Sequence, residues 1–213
     1  MRTLKVSSNN YKRGVEKIVN ALKEKKAIVC PTDTVYGIIA DATNEEAVKK
    51  AFEIKKRPLN KAMPVFVKDI KMAKRIAFIS RRKADFLKKI WPGKVTVVLK
   101  AKSNSGLVSL LFGDKNTVGL RIPNYKLVND VIKKMNRPLV GTSANISGKL
   151  ASTKIREVKK SFESRNPQPD LIISVGNLPS GLPSTVINLS RKKIKILRKG
   201  DYLKTKKYKF FEK

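Results

Sequence analysis

There is no histidine in the 213 residues, and only one cysteine. The first absence excludes Ser-His-Asp and Cys-His catalysis, and with them metal sites built on imidazole. The second excludes an intramolecular disulfide and fits a reducing, cytoplasmic setting. Cys30 ends the apolar run Ala27-Ile-Val-Cys30, so it reads as a buried structural thiol rather than a nucleophile. Carboxylates are scarce: 16 Asp plus Glu stand against 49 Lys plus Arg, a formal charge of +33. Long apolar runs are missing as well. None approaches the ~18 residues that span a membrane, and Met1-Arg-Thr-Leu-Lys5 has no apolar signal-peptide core. No Gly-x-x-x-x-Gly-Lys-Ser/Thr occurs, so the ordinary phosphate-loop fold is not indicated.

What is present points to one domain, or one domain with a small appendage. Apolar residues make up 41%, enough to fill a core in a chain of this length. The positive surface attracts polyanions over a Debye length of roughly 8 Å at physiological salt, and nucleic acid is the first suspect. Heat adaptation is the competing explanation, because it also enriches Lys. It usually raises Glu too, and Glu is scarce here.

Periodicity predicts alternating helix and strand. Val15, Ile18, Val19 and Leu22 mark a helical face, followed by a strand at 27–30 and an apolar run at 35–40. Thr43 and Glu46 match a capping box, opening a helix through Ala47, Ala51 and Ile54 that Pro58 stops. A strand is expected at 63–67, helices at 70–77 and 80–90, and β-branched strands at 95–99 and 117–122. A helix at 125–135, a polar run at 141–148, a helix at 154–163 and strands at 171–175, 185–189 and 194–198 follow. The pattern predicts an α/β domain around a mixed sheet. The domain is expected over 1–200, with 201–213 a basic tail carrying Tyr202, Tyr208, Phe210 and Phe211.

Five clusters of hydroxyls and cations lie at expected strand or helix ends, where α/β sheets bind ligands. They are Pro31-Thr-Asp-Thr-Val-Tyr-Gly37, Lys55-Lys-Arg57-Pro58 with Lys61 beyond, Thr117-Val-Gly-Leu-Arg121-Ile-Pro123, Gly141-Thr-Ser-Ala-Asn-Ile-Ser-Gly148, and Ser180-Gly-Leu-Pro-Ser184-Thr185. As a strand, 117–122 places Thr117, Gly119 and Arg121 on one face and Val118, Leu120 and Ile122 on the other. Each cluster has a plainer reading. Lys55 and Arg57 complement a helix dipole at ~0.3–1 kcal/mol, Arg121 pairs with a neighbouring acid, Thr34 is a β-former, and 141–148 is a surface turn. Together they suit a substrate with several anionic groups.

In their order along the chain, Pro31 to Gly37, Lys55-x-Arg57-Pro58, Trp91-Pro-Gly93, Gly119-x-Arg121-Ile-Pro123 and Thr142-Ser-Ala-Asn-x-Ser-Gly148 resemble the YrdC-like family over roughly residues 10–200. The resemblance implies a twisted mixed sheet flanked by helices around a large basic concave cavity. It also implies a nucleotidyltransferase that condenses L-threonine, bicarbonate or CO2 and ATP into threonylcarbamoyl-AMP and pyrophosphate, for threonylcarbamoyladenosine in tRNA. By the same resemblance Thr34, Arg121, Thr142 and Ser184 hold threonine. Arg57, Lys61, Thr117, Ser143, Ser152 and Arg198 hold ATP, and Lys55, Arg57, Ser143 and Asn145 form the catalytic set. Mg²⁺ is expected with ATP rather than in a protein cage, and tRNA and a KEOPS-type threonylcarbamoyl-transferase machinery are candidate partners; no membrane is. Two departures stand out: Phe66 occupies the place of a His that many members carry, and Lys94 follows Trp91-Pro-Gly93 where Pro is common. The basic tail is a candidate flap over the site.

Overall fold

The computed structural model describes residues 1–191 and 193–204. Ten strands form one mixed sheet: β1 (Arg2–Lys5), β2 (Ile28–Cys30), β3 (Gly37–Asp41), β4 (Val65–Phe66), β5 (Val95–Lys100), β6 (Thr117–Arg121), β7 (Leu139–Ser143), β8 (Leu171–Ser174), β9 (Thr185–Asn188) and β10 (Lys195–Arg198). Their order across the sheet is β1-β8-β2-β3-β7-β4-β6-β5-β9-β10. The pairs β1/β8, β2/β8, β4/β6 and β5/β9 are parallel and the others antiparallel. The helices among the described residues are α1 (Tyr11–Lys23), α2 (Glu45–Lys55), α3 (Ile70–Ile76), α4 (Arg81–Ile90), α5 (Lys126–Met135), α6 (Ile155–Phe162) and α7 (Asp201–Lys204).

The expected face of α1 is the buried one, carrying Val15, Ile18, Val19 and Leu22. Its outer edge is tied to α5 by the Tyr11 hydroxyl, which donates to Asp130 Oδ2 at 2.7 Å. Central strands β2 and β3 are buried along their whole length, which is why they read as unbroken apolar runs rather than alternating ones. Cys30, the last residue of β2, is fully buried, and burial pushes its thiol above the ordinary value.

Several boundaries differ from the sequence reading, each for a local reason. The Thr43–Glu46 capping box does not form. The carboxylate of Asp41, at the end of β3, accepts from both the Thr43 N–H and hydroxyl, so the helix starts one residue later, and Asn44 Oδ1 accepts from Ala47 N. Helix α2 is ended by Lys56 in the left-handed region (φ 48°), before Pro58 is reached. The strand expected at 63–67 is two residues long. The first three residues of the 141–148 run are strand, since Gly141, Thr142 and Ser143 complete β7. Strand β1, which carries no apolar alternation, was not foreseen; it joins β8 in parallel. Residues 201–204, the described part of the expected basic tail, are helical. Helix α7 lies against β9, with Asp201 N–H donating to Pro183 O at 3.0 Å. Tyr208, Phe210 and Phe211 lie outside the described residues.

Gly141 is forced by close packing. A Cβ there would sit 2.5 Å from the ring of Phe66, which is itself buried. Gly141→Ala is expected to destabilise the fold by about 1–3 kcal/mol, the usual cost of overpacking. In urea unfolding, the Gly141→Ala/Phe66→Ala double variant should lose less than the two single losses added together, because removing the ring removes the clash.

Candidate active site

One concave cavity of about 780 Å³ opens over the middle of the sheet, bordered by β3, β5, β6, β7, β9, the 145–151 loop and the 181–184 loop. Its charged lining is one-sided. Among the described residues, Lys55, Arg57, Lys115, Arg121, Lys149, Arg191 and Arg198 face a single carboxylate, Asp114.

Four of these cations are built in. Lys55, the last residue of α2, is only 3% exposed. Its Nζ donates to Ser143 O (2.7 Å), Asn145 Oδ1 (2.9 Å) and Asn145 O (3.1 Å), and lies 3.4 Å from Ser143 Oγ. Asn145 is also held from its other end, its Nδ2 donating to Ile146 O and Lys149 O. The loop after β7 is therefore wound around one ammonium. Burial, then the nearby Arg57 and Arg198 charges, pushes Lys55 down to about 7.

The arginines are aimed mostly by carbonyls. Arg57 donates through Nε to Lys61 O (2.6 Å) and through Nη2 to Ala62 O (3.0 Å). Arg198 forks onto Ser184 O through Nε (3.0 Å) and Nη2 (2.8 Å). Its guanidinium is pushed down by burial and by the charges of Arg121 and Arg57. Carbonyls orient these groups without neutralising them, so the charge stays available to an anionic ligand.

Arg121 differs. Its Nη2 pairs with Asp33 Oδ1 at 2.5 Å, both side chains nearly sealed from solvent, and Nε donates to Gly93 O at 2.8 Å. Asp33 Oδ2 in turn accepts the Asn124 N–H. Arg121 therefore pairs with an acid, its plainer reading, and also lines the cavity. Phe66 lies beneath it, with the guanidinium carbon 5.7 Å from the ring centroid, within cation–π range.

Hydroxyls surround this pair. Thr34 Oγ1 is 3.0 Å from Thr32 Oγ1 and 3.4 Å from Arg121 Nη1. Ser184 Oγ is 2.9 Å from Thr96 Oγ1, both buried. Thr142 and Thr117 also line the cavity. Ten of the twelve residues singled out in the sequence thus come together. Lys61 and Ser152 do not line the cavity. Lys61 contributes its carbonyl to Arg57, and the Ser152 hydroxyl donates to Glu157 Oε2 at 2.6 Å beside the start of α6. Asp33 and Thr96 went unassigned in the sequence. An acid inside an otherwise hydroxyl-rich motif was the available signal for Asp33. Thr96, one threonine in a β-branched run, carried none.

Lys94, the residue that departs from the Pro pattern, pairs with Asp201 Oδ2 at 2.6 Å, while Asp201 Oδ1 accepts Leu182 N–H. This clasp ties α7 to the 181–184 border of the cavity. Among the described residues, no three Cys, Asp or Glu side chains gather as metal ligands, and no helix is long and apolar enough to cross a membrane.

A model of the Sua5/YciO/YrdC family, described as "Telomere recombination", matches residues 20–200. The chain belongs to the Sua5/YciO/YrdC family. A relative from Methanocaldococcus jannaschii, provisionally named a threonylcarbamoyl-AMP synthase, is 31% identical over 200 residues, covering 94% of this chain and 92% of its own. The Bacillus subtilis threonylcarbamoyl-AMP synthase is 33% identical over 86% of this chain, which spans only 52% of that longer protein. Pyrococcus abyssi Sua5, solved with L-threonine, superposes with a TM-score of 0.82 at 30% identity, over 93% of this chain and 57% of the other. The mixed α/β architecture expected from the sequence is thus the architecture of this family.

Proposed function

We propose that this protein is a threonylcarbamoyl-AMP synthase. In this reading it is a nucleotidyltransferase that converts L-threonine, CO2 or bicarbonate, and MgATP into threonylcarbamoyl-AMP and pyrophosphate, for threonylcarbamoyladenosine in tRNA. The observation that carries the reading is the likeness to the Pyrococcus protein solved with L-threonine. The cavity supports it with cations aimed inward by neutral groups.

In this reading Arg121, steadied by Asp33, takes the threonine carboxylate, with Thr34, Thr142 and Ser184 beside it. A guanidinium has five N–H groups. The bonds to Gly93, Asp33 and Thr34 leave two of them for a substrate. Arg57 and Arg198 take phosphates, Thr117 and Ser143 lie on the nucleotide side, and exposed Leu150 and Leu197 offer apolar surface to the base. The threonine amine adds to CO2 and loses a proton, giving a carbamate. A carbamate oxygen then attacks the α-phosphorus, and the bond to the β-phosphate oxygen breaks, releasing pyrophosphate. An anion must approach a polyanion, so positioning and positive charge are what the protein has to supply. No covalent nucleophile is needed. Mg²⁺ enters as part of the nucleotide substrate, mostly phosphate- and water-bound.

The deciding assay mixes protein, MgATP and bicarbonate and follows pyrophosphate with and without L-threonine. Release is expected only with threonine. Threonine-independent release, or none at all, overturns the reading.

Lys55 adds a pH signature. Free, with its ammonium down at about 7, it is mostly neutral at pH 8. A bound polyphosphate favours the charged form, so nucleotide binding at pH 8 is expected to take up close to one proton, and little at pH 6. Calorimetry in phosphate and in Tris reads this directly as a buffer-dependent heat. Identical heats in the two buffers would show that Lys55 does not titrate on binding.

A further inference from the structure

The charge of this protein is unevenly spread. Residues 70–102 hold eleven Lys and Arg against one carboxylate, Asp85. They form α3, α4 and β5, and the α3–α4 corner is laced to the end of β5. Ala77 bridges Ala101, Phe78 N–H donates to Lys100 O (2.9 Å), and Lys102 N–H donates to Ile76 O (2.8 Å). At that corner Phe78 is 53% exposed, and it is the one exposed phenylalanine among the described residues. Lys102 Nζ lies 5.7 Å from its ring centroid.

The cations on the α4 side of Phe78 are not explained by the fold. Arg81, Arg82 and Lys83 occupy the first turn of α4, which has no acidic residue. Positive charge there opposes the helix dipole. Lys74 and Arg75 close α3 on the other side of the ring. Asp69 caps α3, and Asp85 is taken by Lys88 at 3.2 Å. Among the described residues Lys74, Arg75, Arg81 and Arg82 make no ion pair. The apolar faces of both helices, Met72, Ala73 and Ile76 on one and Ala84, Leu87 and Ile90 on the other, are already buried. That leaves no apolar face to enter a lipid surface. An exposed ring in the short α3–α4 connection, with unpaired cations on the helix ends that flank it in the chain, has the chemistry that binds a single strand, with base on ring and phosphates on cations.

We propose that the α3–α4 corner binds single-stranded RNA, with an unpaired base stacked on Phe78 and flanking phosphates on Lys74, Arg75, Arg81 and Arg82. The choice of RNA rests on the function proposed above. The surface is separate from the cavity, yet close to it: Lys100 pairs in register with Thr117 on the cavity wall.

The test is fluorescence anisotropy with a labelled, unstructured 16-nucleotide RNA, a 16-base-pair RNA duplex, and vesicles containing phosphatidylserine. The single strand is expected to bind best. Phe78→Ala should weaken it about tenfold and Phe78→Trp should restore it. The triple variant Lys74→Ala/Arg75→Ala/Arg81→Ala should lower the salt slope by about 2. An equal charge loss on α1, Lys12→Ala/Lys17→Ala/Lys23→Ala, should cost far less. All the substituted residues are exposed, so melting temperatures should stay near wild type. Threonine-dependent pyrophosphate release should stay within twofold. The proposal is overturned by unchanged binding in Phe78→Ala, by equal losses in the two triple variants, by vesicles or duplex binding as tightly, or by displacement of the RNA with MgATP. Because binding and pyrophosphate are read separately, failure of the RNA surface and failure of the synthase reading give different results.

Discussion

Lys55→Met is expected to reduce threonine-dependent pyrophosphate release by on the order of 10³, and to destabilise the protein as well. The first effect follows from removing a preorganised positive group facing the developing charge, which typically costs 10²–10³ in rate. The second follows from what Lys55 touches. Its ammonium serves Ser143 O, Asn145 O and Asn145 Oδ1 in a nearly sealed position. Each oxygen left without a donor costs about 1–3 kcal/mol. The 143–149 loop should loosen, and the loss should appear both in urea midpoint and in amide exchange of that loop. Arg57→Ala provides the contrast. Its guanidinium is bound only at the edge of the 61–62 turn, so it should lose activity by about 10² or more with little change in stability. Activity within twofold of wild type in either variant would show the cation to be outside the chemistry.

Arg121→Met should be the most destabilising single change in the cavity. It strands Asp33, whose side chain is 7% exposed, as a buried charge without its partner, a situation that costs about 3–5 kcal/mol. The Asp33→Asn/Arg121→Met double variant removes both charges and should recover most of that stability. It should not recover threonine-dependent turnover if Arg121 holds the substrate carboxylate. Comparison of the two variants separates a structural ion pair from a binding group. Recovery of both stability and turnover would assign Arg121 to structure alone.

Much of the fold was legible because its signals are local. The buried stripe of α1, the unbroken apolar runs of β2 and β3 and the two-face alternation of β6 depend on residues within a few positions of one another. The boundaries that shifted did so where a side chain chose among neighbours. Asp41 captured Thr43, leaving the cap to Asn44. Strand β1 carries little apolar signal and exists because β8 offers it an edge.

The candidate site was legible as a set of residue types and not as an arrangement. Lys55 reads as a helix-end cation, and only the fold brings it to oxygens 88 and 90 positions away. Arg121 and Asp33 are likewise 88 positions apart. Ser152 and Ser184 look alike in sequence, yet one hydroxyl is held by Glu157 outside the cavity and the other faces Thr96 within it.

By itself, then, the sequence determined the class of chemistry. It has no histidine, one cysteine and few carboxylates against many cations and hydroxyls, an inventory that suits assistance by positive charge, dipoles and position. Which cations meet in one cavity, which remain unneutralised and which pair with an acid were decided by strand order. Those outcomes depend on contacts between segments far apart in the chain, and a linear pattern holds no record of the pairing that brings β3 beside β7 and β5 beside β9.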